Sequence, residues 1–269
     1  MLEPLEIGFD DLVSRPESVR ERYVRTGVAK ITGALDADTI SKFTAICELI
    51  YHVCGARLAT GGEVDEISRA ACQGTGLYAL RDTMILMQKI QVDCGFVWGA
   101  VERMKFVVKS LLEAADAEFM FGESIFRRQF LMSNSSFVPW HRDAHAVGLT
   151  GAGQVSAVWM PMCHVGIDAP SLEYILGSQH DLFSVGVKPG AVSSVYDFED
   201  YSELWARNNY DSRLYSPILA PGDILIHDMH TLHATQRMEN PRVLRQSLEL
   251  RFLAVRSGVA DGYLWPGYQ

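Results

Sequence analysis

Pro221-Gly222-Asp223-Ile224-Leu225-Ile226-His227-Asp228-Met229-His230-Thr231-Leu232-His233 is a turn, then a short apolar run, then histidines at steps of three. A Pro-Gly pair punctuates the chain, and an apolar run too short for a helix, led by β-branched residues, reads as the buried strand Ile224 to Asp228. The same texture recurs on both sides of it. Candidate strands are Ile125 to Met132, Phe137 to Arg142, Val155 to Met162, Leu172 to Leu176 and Gln246 to Val255. Many short strands separated by turn residues predict a β-sandwich, jelly roll or barrel from Ser124 onward.

Upstream the pattern changes period. Thr26 to Ile31 reads as a short strand, after which Asp36 or Asp38 caps a helix whose apolar positions are Ile40, Phe43, Ile46, Leu49, Ile50 and Val53. A second helix is predicted over about 99 to 117, with Val101, Met104, Val107, Val108, Leu111 and Leu112 on one face. Both stripes are core-packing faces. The chain therefore reads as one domain over 1–269, with residues 1–120 a mainly helical buttress and 121–256 the β-core. A long excursion between Gly177 and Pro221, centred on about 181–212, is read with a short helix near Glu199 to Asn208. Connections of that length inside a compact domain usually carry function.

Composition narrows the partners. The 269 residues hold 24 Lys+Arg against 33 Asp+Glu, a net charge of −9, so neither nucleic acid nor an anionic membrane is the expected partner. No apolar run approaches the roughly 20 residues of a membrane helix, and the acidic N-terminus lacks the look of a secretory signal. Five scattered cysteines without a CxxC pair read as buried thiols in a reducing cytoplasm. A monomer or a homodimer is expected.

Seven of the eight histidines lie at or after His141. In Trp140-His141-Arg142-Asp143 the residues two apart face one side of a strand, so His141 and Asp143 can offer an imidazole nitrogen and a carboxylate oxygen to one metal ion. His227, His230 and His233 are each able to supply a second imidazole. Two histidines and a carboxylate form the open facial set of non-haem Fe(II) oxygenases, whereas a structural zinc would be closed by four ligands.

The series His141-x-Asp143, Ser171-Leu172-Glu173-Tyr174-Ile175-Leu176-Gly177-Ser178-Gln179-His180, Pro221-Gly222-Asp223, His233 and Arg245 resembles the phytanoyl-CoA dioxygenase family of Fe(II)/2-oxoglutarate oxygenases. The middle segment is similar to the family's G-x-L-x-x-x-P-G-S-H element, with Leu176 in place of proline and Gln179 inserted before His180. Gly27 to Leu35 also looks like the family's opening strand and turn. The resemblance implies a mainly β fold with flanking helices around a double-stranded β-helix, a cupin-like jelly roll. It implies Fe(II), 2-oxoglutarate and O2 as cofactor and cosubstrates.

The resemblance also selects His233 as the third ligand, because it stands 12 residues before Arg245, which opens what looks like the last core strand. His227 and His230 then read as hydrogen-bonding side chains. A guanidinium at Arg245 can grip the distal carboxylate of 2-oxoglutarate with two charge-assisted bonds, and Thr235, two residues past His233, can add a third. Gln129 and Trp159 match looser pocket positions, one as an amide donor and one as an aromatic wall. Arg142 points away from the metal by strand alternation, and Arg242, just after Pro241, is solvated. Trp140, His145 and Trp205 are candidates for substrate contact, and Phe183, Tyr196, Phe198, Tyr201 and Tyr210 would join Trp205 in an aromatic lid.

The implied activity is oxidation of an unactivated C–H bond with release of succinate and CO2. Asp143 occupies the position that related halogenases leave to a small residue, which favours hydroxylation over halogenation. Desaturation, epoxidation and ring formation use the same ligands. A bulky polyanion such as an acyl-CoA favours a basic groove, whereas this chain is acidic with dispersed Lys and Arg, so a small metabolite or natural-product intermediate is expected instead. The competing class is a cupin-like metal isomerase, or a binding protein that kept the fold without the oxidation.

Overall fold

The computed structural model describes residues 2–59, 77–129, 138–143, 154–180, 210–239 and 241–255. The chain begins with β1 (Leu5–Gly8), α1 (Phe9–Ser14), α2 (Pro16–Thr26), β2 (Val28–Thr32) and α3 (Ala37–Ala59). It continues with β3 (Leu77–Ala79), α4 (Leu80–Lys89), α5 (Gly95–Leu112), β4 (Asp116–Phe119) and β5 (Ile125–Gln129). The remaining strands are β6 (Gln154–Pro161), β7 (Leu172–Ile175), β8 (Leu214–Tyr215), β9 (Ile224–Asp228), β10 (His233–Thr235) and β11 (Arg245–Val255). Among the described residues no helix is long and apolar enough to cross a membrane.

These strands form two sheets. The larger runs β1-β2-β9-β6-β11-β5-β3, with β4 also paired to β11, and the smaller runs β10-β7-β8. Every pairing is antiparallel except β1 with β2. A bridge between His141 and His233 adds the 138–143 segment to the edge of the small sheet. From β5 onward the chain alternates between sheets: β5 large, His141 small, β6 large, β7 and β8 small, β9 large, β10 small, β11 large. The described strands thus form two facing layers, and they do not by themselves trace a closed barrel.

Strand alternation sorts the large sheet into two chemistries. Leu248, Leu250 and Phe252 of β11, Val158 and Met160 of β6, and Ile224 and Ile226 of β9 pack with the helices in the main core. Leu248, Leu250 and Phe252 are fully buried, and each contributes about 2 kcal/mol of transfer free energy. The opposite face carries Val28, Trp159 and Leu225 against Leu172 and Tyr174 of the small sheet, forming a second core between the layers. Of the polar residues of β11, Arg245, Ser247, Glu249 and Arg251 belong to that inner face, while Gln246 turns to Glu48 on the helix side.

The helical buttress follows the predicted stripes with adjusted ends. Asp36 is the cap of α3, its Oδ1 accepting from Thr39 N at 2.7 Å, and Ile40, Phe43, Ile46 and Ile50 are buried. The second helix spans Gly95–Leu112 rather than 99–117, because Glu113 turns left-handed at φ 53° and Asp116–Phe119 pairs with β11 as a strand. The N-terminal part is therefore less purely helical than its pattern suggests, since β1 and β2 extend the large sheet.

The Pro221-Gly222-Asp223 turn fixes where β9 starts. Gly222 has φ +99°, and a Cβ there would stand 2.6 Å from Leu35 O. Leu35 N donates to Gly222 O at 3.0 Å, while Asp223 accepts from Gly33 N at 3.1 Å and Ala220 N at 3.0 Å. The turn after β2 and the turn before β9 are thereby locked together, which sets the register Val28 to His227.

Candidate metal centre

His141, Asp143 and His233 converge so that one ligand atom from each lies within 4.8 Å of the others. All three are buried. The His141–His233 bridge brings the two histidines together across strands, with ring centroids 4.2 Å apart.

The hydrogen bonds decide which nitrogens are free. His141 Nδ1 donates to Pro139 O at 2.8 Å and His233 Nδ1 donates to Thr231 O at 3.0 Å. With the proton on Nδ1, each Nε2 presents its lone pair, and these stand 3.7 and 3.9 Å from Asp143 Oδ1. Burial lowers the pKa of both histidines, and neighbouring His141 and His227 depress that of His233 further. Burial pushes Asp143 upward, but Arg251, the His227 hydrogen bond and His233 outweigh it and hold the carboxyl well below its usual range. Three acceptors therefore face one another in a buried space. A cation relieves that arrangement, and two neutral imidazoles with one carboxylate are a borderline donor set suited to a divalent transition metal with open positions.

A second tier holds the carboxylate. His227 Nε2 donates to Asp143 Oδ2 at 3.2 Å, and the Tyr174 hydroxyl donates to His227 Nδ1 at 3.1 Å. Arg251 Nη2 lies 3.7 Å from Asp143 Oδ1 and 2.7 Å from Glu249 Oε1. The hydrogen-bonding role expected of His227 is met. Tyr174, Glu249 and Arg251 were not anticipated as part of the site, though the polar alternation of β11 was a visible signal. His230 acts through its backbone, where its carbonyl accepts from Arg142.

Arg245 is fully buried at the start of β11. Its Nη1 makes long bonds to Ser171 O at 3.3 Å and Pro170 O at 3.5 Å, and among the described residues its Nε has no partner. Burial lowers its pKa, and Arg127 lowers it further. A guanidinium keeps its charge even so, and its unspent donors suit an arriving carboxylate. Trp159 stands beside it, with Arg245 Cζ 5.7 Å from the ring centroid. Gln129 is the direct cross-strand partner of Arg245. Thr235 is buried on β10, its hydroxyl accepting from Val138 N at 3.2 Å, and the adjoining Gln236 N reaches the same Ser171 carbonyl as Arg245.

Other expectations fare differently. Trp140 packs with Ile175, Leu232 and Ala234. That is the face of the small sheet turned away from His141, so Trp140 is a packing residue rather than one at the mouth. Arg142 does turn from the triad, donating to Ser178 O at 2.9 Å. Arg242 is solvated beside Asp168. His145, Trp205 and the lid aromatics other than Tyr210 lie outside the described residues, as does the helix expected near Glu199 to Asn208.

The family model for phytanoyl-CoA dioxygenase matches residues 23–246, a span that takes in every element of this site but the end of β11. The chain belongs to the phytanoyl-CoA dioxygenase family. None of the curated proteins compared with it matches. Among solved structures it is similar to the epimerase SnoN in complex with Fe3+, alpha ketoglutarate and nogalamycin RO, at 18% identity over 96% of this chain and 93% of that one, with a TM-score of 0.58. It is also similar to the non-haem alpha ketoglutarate dependent carbocyclase SnoK from nogalamycin biosynthesis, at 15% identity over 91% and 88%, with a TM-score of 0.58. EvdO2 from Micromonospora carbonacea var. aurantiaca complexed with 2-oxoglutarate matches at 14% identity over 91% and 93%, with a TM-score of 0.58. At these identities the likeness is one of fold.

Proposed function

We propose that this family member is an Fe(II)- and 2-oxoglutarate-dependent oxygenase that oxidises an unactivated C–H bond of a small metabolite or natural-product intermediate. The observation that carries the reading is the triad of acceptors: two Nε2 lone pairs and a carboxylate oxygen directed at one buried point. His141, Asp143 and His233 would hold the iron. Arg245 would hold the distal carboxylate of 2-oxoglutarate, with Thr235, Gln129 and Trp159 completing that end of the pocket. The two sheets are read as the major and minor walls of a double-stranded β-helix, with 138–143 as the fourth strand of the minor wall.

Once bound, Fe(II) with 2-oxoglutarate and O2 supplies an oxidant able to take hydrogen from such a bond, with succinate and CO2 released. The chain's own residues prepare the site for it. His227 and Arg251 keep Asp143 ionised and oriented, so the carboxylate stays a metal ligand and leaves no room for a halide in its place. The backbone acceptors Pro139 O and Thr231 O keep both histidines in the ligating tautomer. The inner apolar residues Trp159, Leu172 and Leu225 exclude water around it. Hydroxylation is the simplest outcome. The fold relatives include an epimerase and a carbocyclase, which is consistent with one triad serving several oxidations.

The test is succinate release from 2-oxoglutarate by the iron-loaded protein, screened over metabolite classes. Release that depends on iron, O2 and Asp143 supports the reading. Iron binding without any 2-oxoglutarate turnover, even uncoupled, would favour a non-oxidative cupin-like isomerase or a binding protein.

A further inference from the structure

Arg127 sits at the centre of β5 with its backbone paired to Ser247 of β11, one step diagonal from the Gln129–Arg245 pair. Alternation separates it from its neighbours. Phe126 is buried among the helices, and Arg128 on that side reaches Glu48 at 3.4 Å, so Arg127 belongs to the inner row with Arg245 and the metal site. Diagonal cross-strand side chains of this length are within reach of each other.

The other inner guanidiniums are accounted for. Arg251 is matched by Glu249 and Asp143, and Arg245 is the residue proposed to hold the distal carboxylate of 2-oxoglutarate. Arg127 is half-buried, and among the described residues its side chain makes neither an ion pair nor a hydrogen bond. In the β5–β11 register it lies between the Gln129–Arg245 pair and the Ile125–Glu249 pair, so it stands between the cosubstrate end and the Glu249–Arg251 pair that flanks Asp143. Count the charges there with the site filled. Among the described residues three guanidiniums and a divalent iron would face Asp143, Glu249 and a doubly charged 2-oxoglutarate, which leaves one positive charge unmatched. Holding an unmatched cation between two others in a partly dry space is unfavourable, and an arriving anion removes the cost.

Resting on the oxygenase reading, we propose that Arg127 anchors a carboxylate of the substrate, so the substrate class is a small carboxylic acid and Arg127 is a specificity-determining residue. The partial exposure of Arg127 fits a group met by an incoming molecule, whereas the fully buried Arg245 fits a cosubstrate bound first. A single carboxylate also agrees with a chain whose net charge is −9.

The experiment is a calorimetric titration of the anaerobic Fe(II)/2-oxoglutarate holoenzyme with hexanoate and, separately, with uncharged hexanamide. The comparison is made for the wild type, Arg127→Gln, Arg127→Lys and Arg245→Gln, with thermal melts to confirm folding. The wild type should bind hexanoate at least tenfold tighter than hexanamide, Arg127→Gln should lose that preference, and Arg127→Lys should keep part of it. The affinity for 2-oxoglutarate should stay within about twofold in Arg127→Gln and fall at least tenfold in Arg245→Gln. Equal binding of acid and amide by the wild type, or of neither, overturns the proposal. So does a loss of 2-oxoglutarate binding in Arg127→Gln that matches Arg245→Gln, because Arg127 would then belong to the cosubstrate clamp. A wild type that never binds 2-oxoglutarate refutes the oxygenase reading instead, and Arg127-dependent hexanoate binding is still read separately on the iron-loaded protein.

Discussion

His227 Nε2 lies 3.2 Å from Asp143 Oδ2, and this hydrogen bond leaves Oδ1 as the oxygen that faces His141 and His233. His227 thereby orients the carboxylate without joining the converging ligand set. Replacing it with phenylalanine keeps the ring and removes the donor. His227→Phe should weaken Fe(II) or Zn(II) affinity about 10- to 100-fold, the usual loss for a residue that orients a ligand. Tyr174→Phe should cost less, because it frees only the far nitrogen of His227. Metal titrations on the two variants check this, and unchanged affinity in His227→Phe would show that Asp143 orients itself.

Among the described residues Arg245 makes only long bonds to two carbonyls, so its removal should be felt chiefly when the cosubstrate arrives. Charge-assisted hydrogen bonds contribute about 1.5–3 kcal/mol each. Arg245→Gln should therefore raise the 2-oxoglutarate concentration needed for half-maximal turnover at least tenfold while leaving metal affinity nearly intact. A variant with normal 2-oxoglutarate dependence would place the clamp elsewhere.

Gly27 ends α2 in the left-handed region at φ +74°, and a Cβ there would run into Gln179 Oε1 and Thr231 Oγ1. Thr231 also gives its carbonyl to His233, so this close approach supports the metal centre from behind. Gly27→Ala should destabilise the fold by about 1–3 kcal/mol through strain and displaced neighbours. Chemical denaturation measures it, and a neutral effect would mean that the contact relaxes freely.

Cys47 is buried in the helix-facing core, and burial together with Glu48 pushes its thiol up to about 12. The native state holds the proton while the unfolded chain releases it near the ordinary value of 9.0. The unfolded state therefore binds fewer protons between about 9 and 12, and stability should fall as pH rises through that window. Cys47→Ala should flatten the alkaline limb of a stability–pH curve, and an identical limb in the variant would assign the loss to other groups.

The strands were legible where apolar alternation was strong. Ile224–Asp228 matches its predicted span, and the β6, β7 and β11 spans lie within a residue of theirs. What alternation could not say was where the polar face of Ser247, Glu249 and Arg251 goes. Polar alternation ordinarily means solvent, yet here it lines the space between the sheets, and so Arg251 and Glu249 were not singled out. Trp140 was misread for a related reason: adjacency to His141 in sequence means opposite faces in a strand. β1 and the short β8 and β10 carry too few residues to show a period, and their pairing partners are remote in the chain. The triad itself was legible because its spacing, a strand's two-residue step and a histidine fixed by the family's order, is local and chemical rather than dependent on packing.

The proposed function requires that His141, Asp143 and His233 hold an iron to which 2-oxoglutarate binds. The most direct measurement is an anaerobic Fe(II) titration in the presence of 2-oxoglutarate, following the visible charge-transfer absorption of the iron–2-oxo acid chelate. The account predicts a band that saturates at one iron per chain in the wild type and is lost in Asp143→Ala and His233→Ala, both still folded. A wild type that binds iron without the band, or variants that keep it undiminished, would contradict the account.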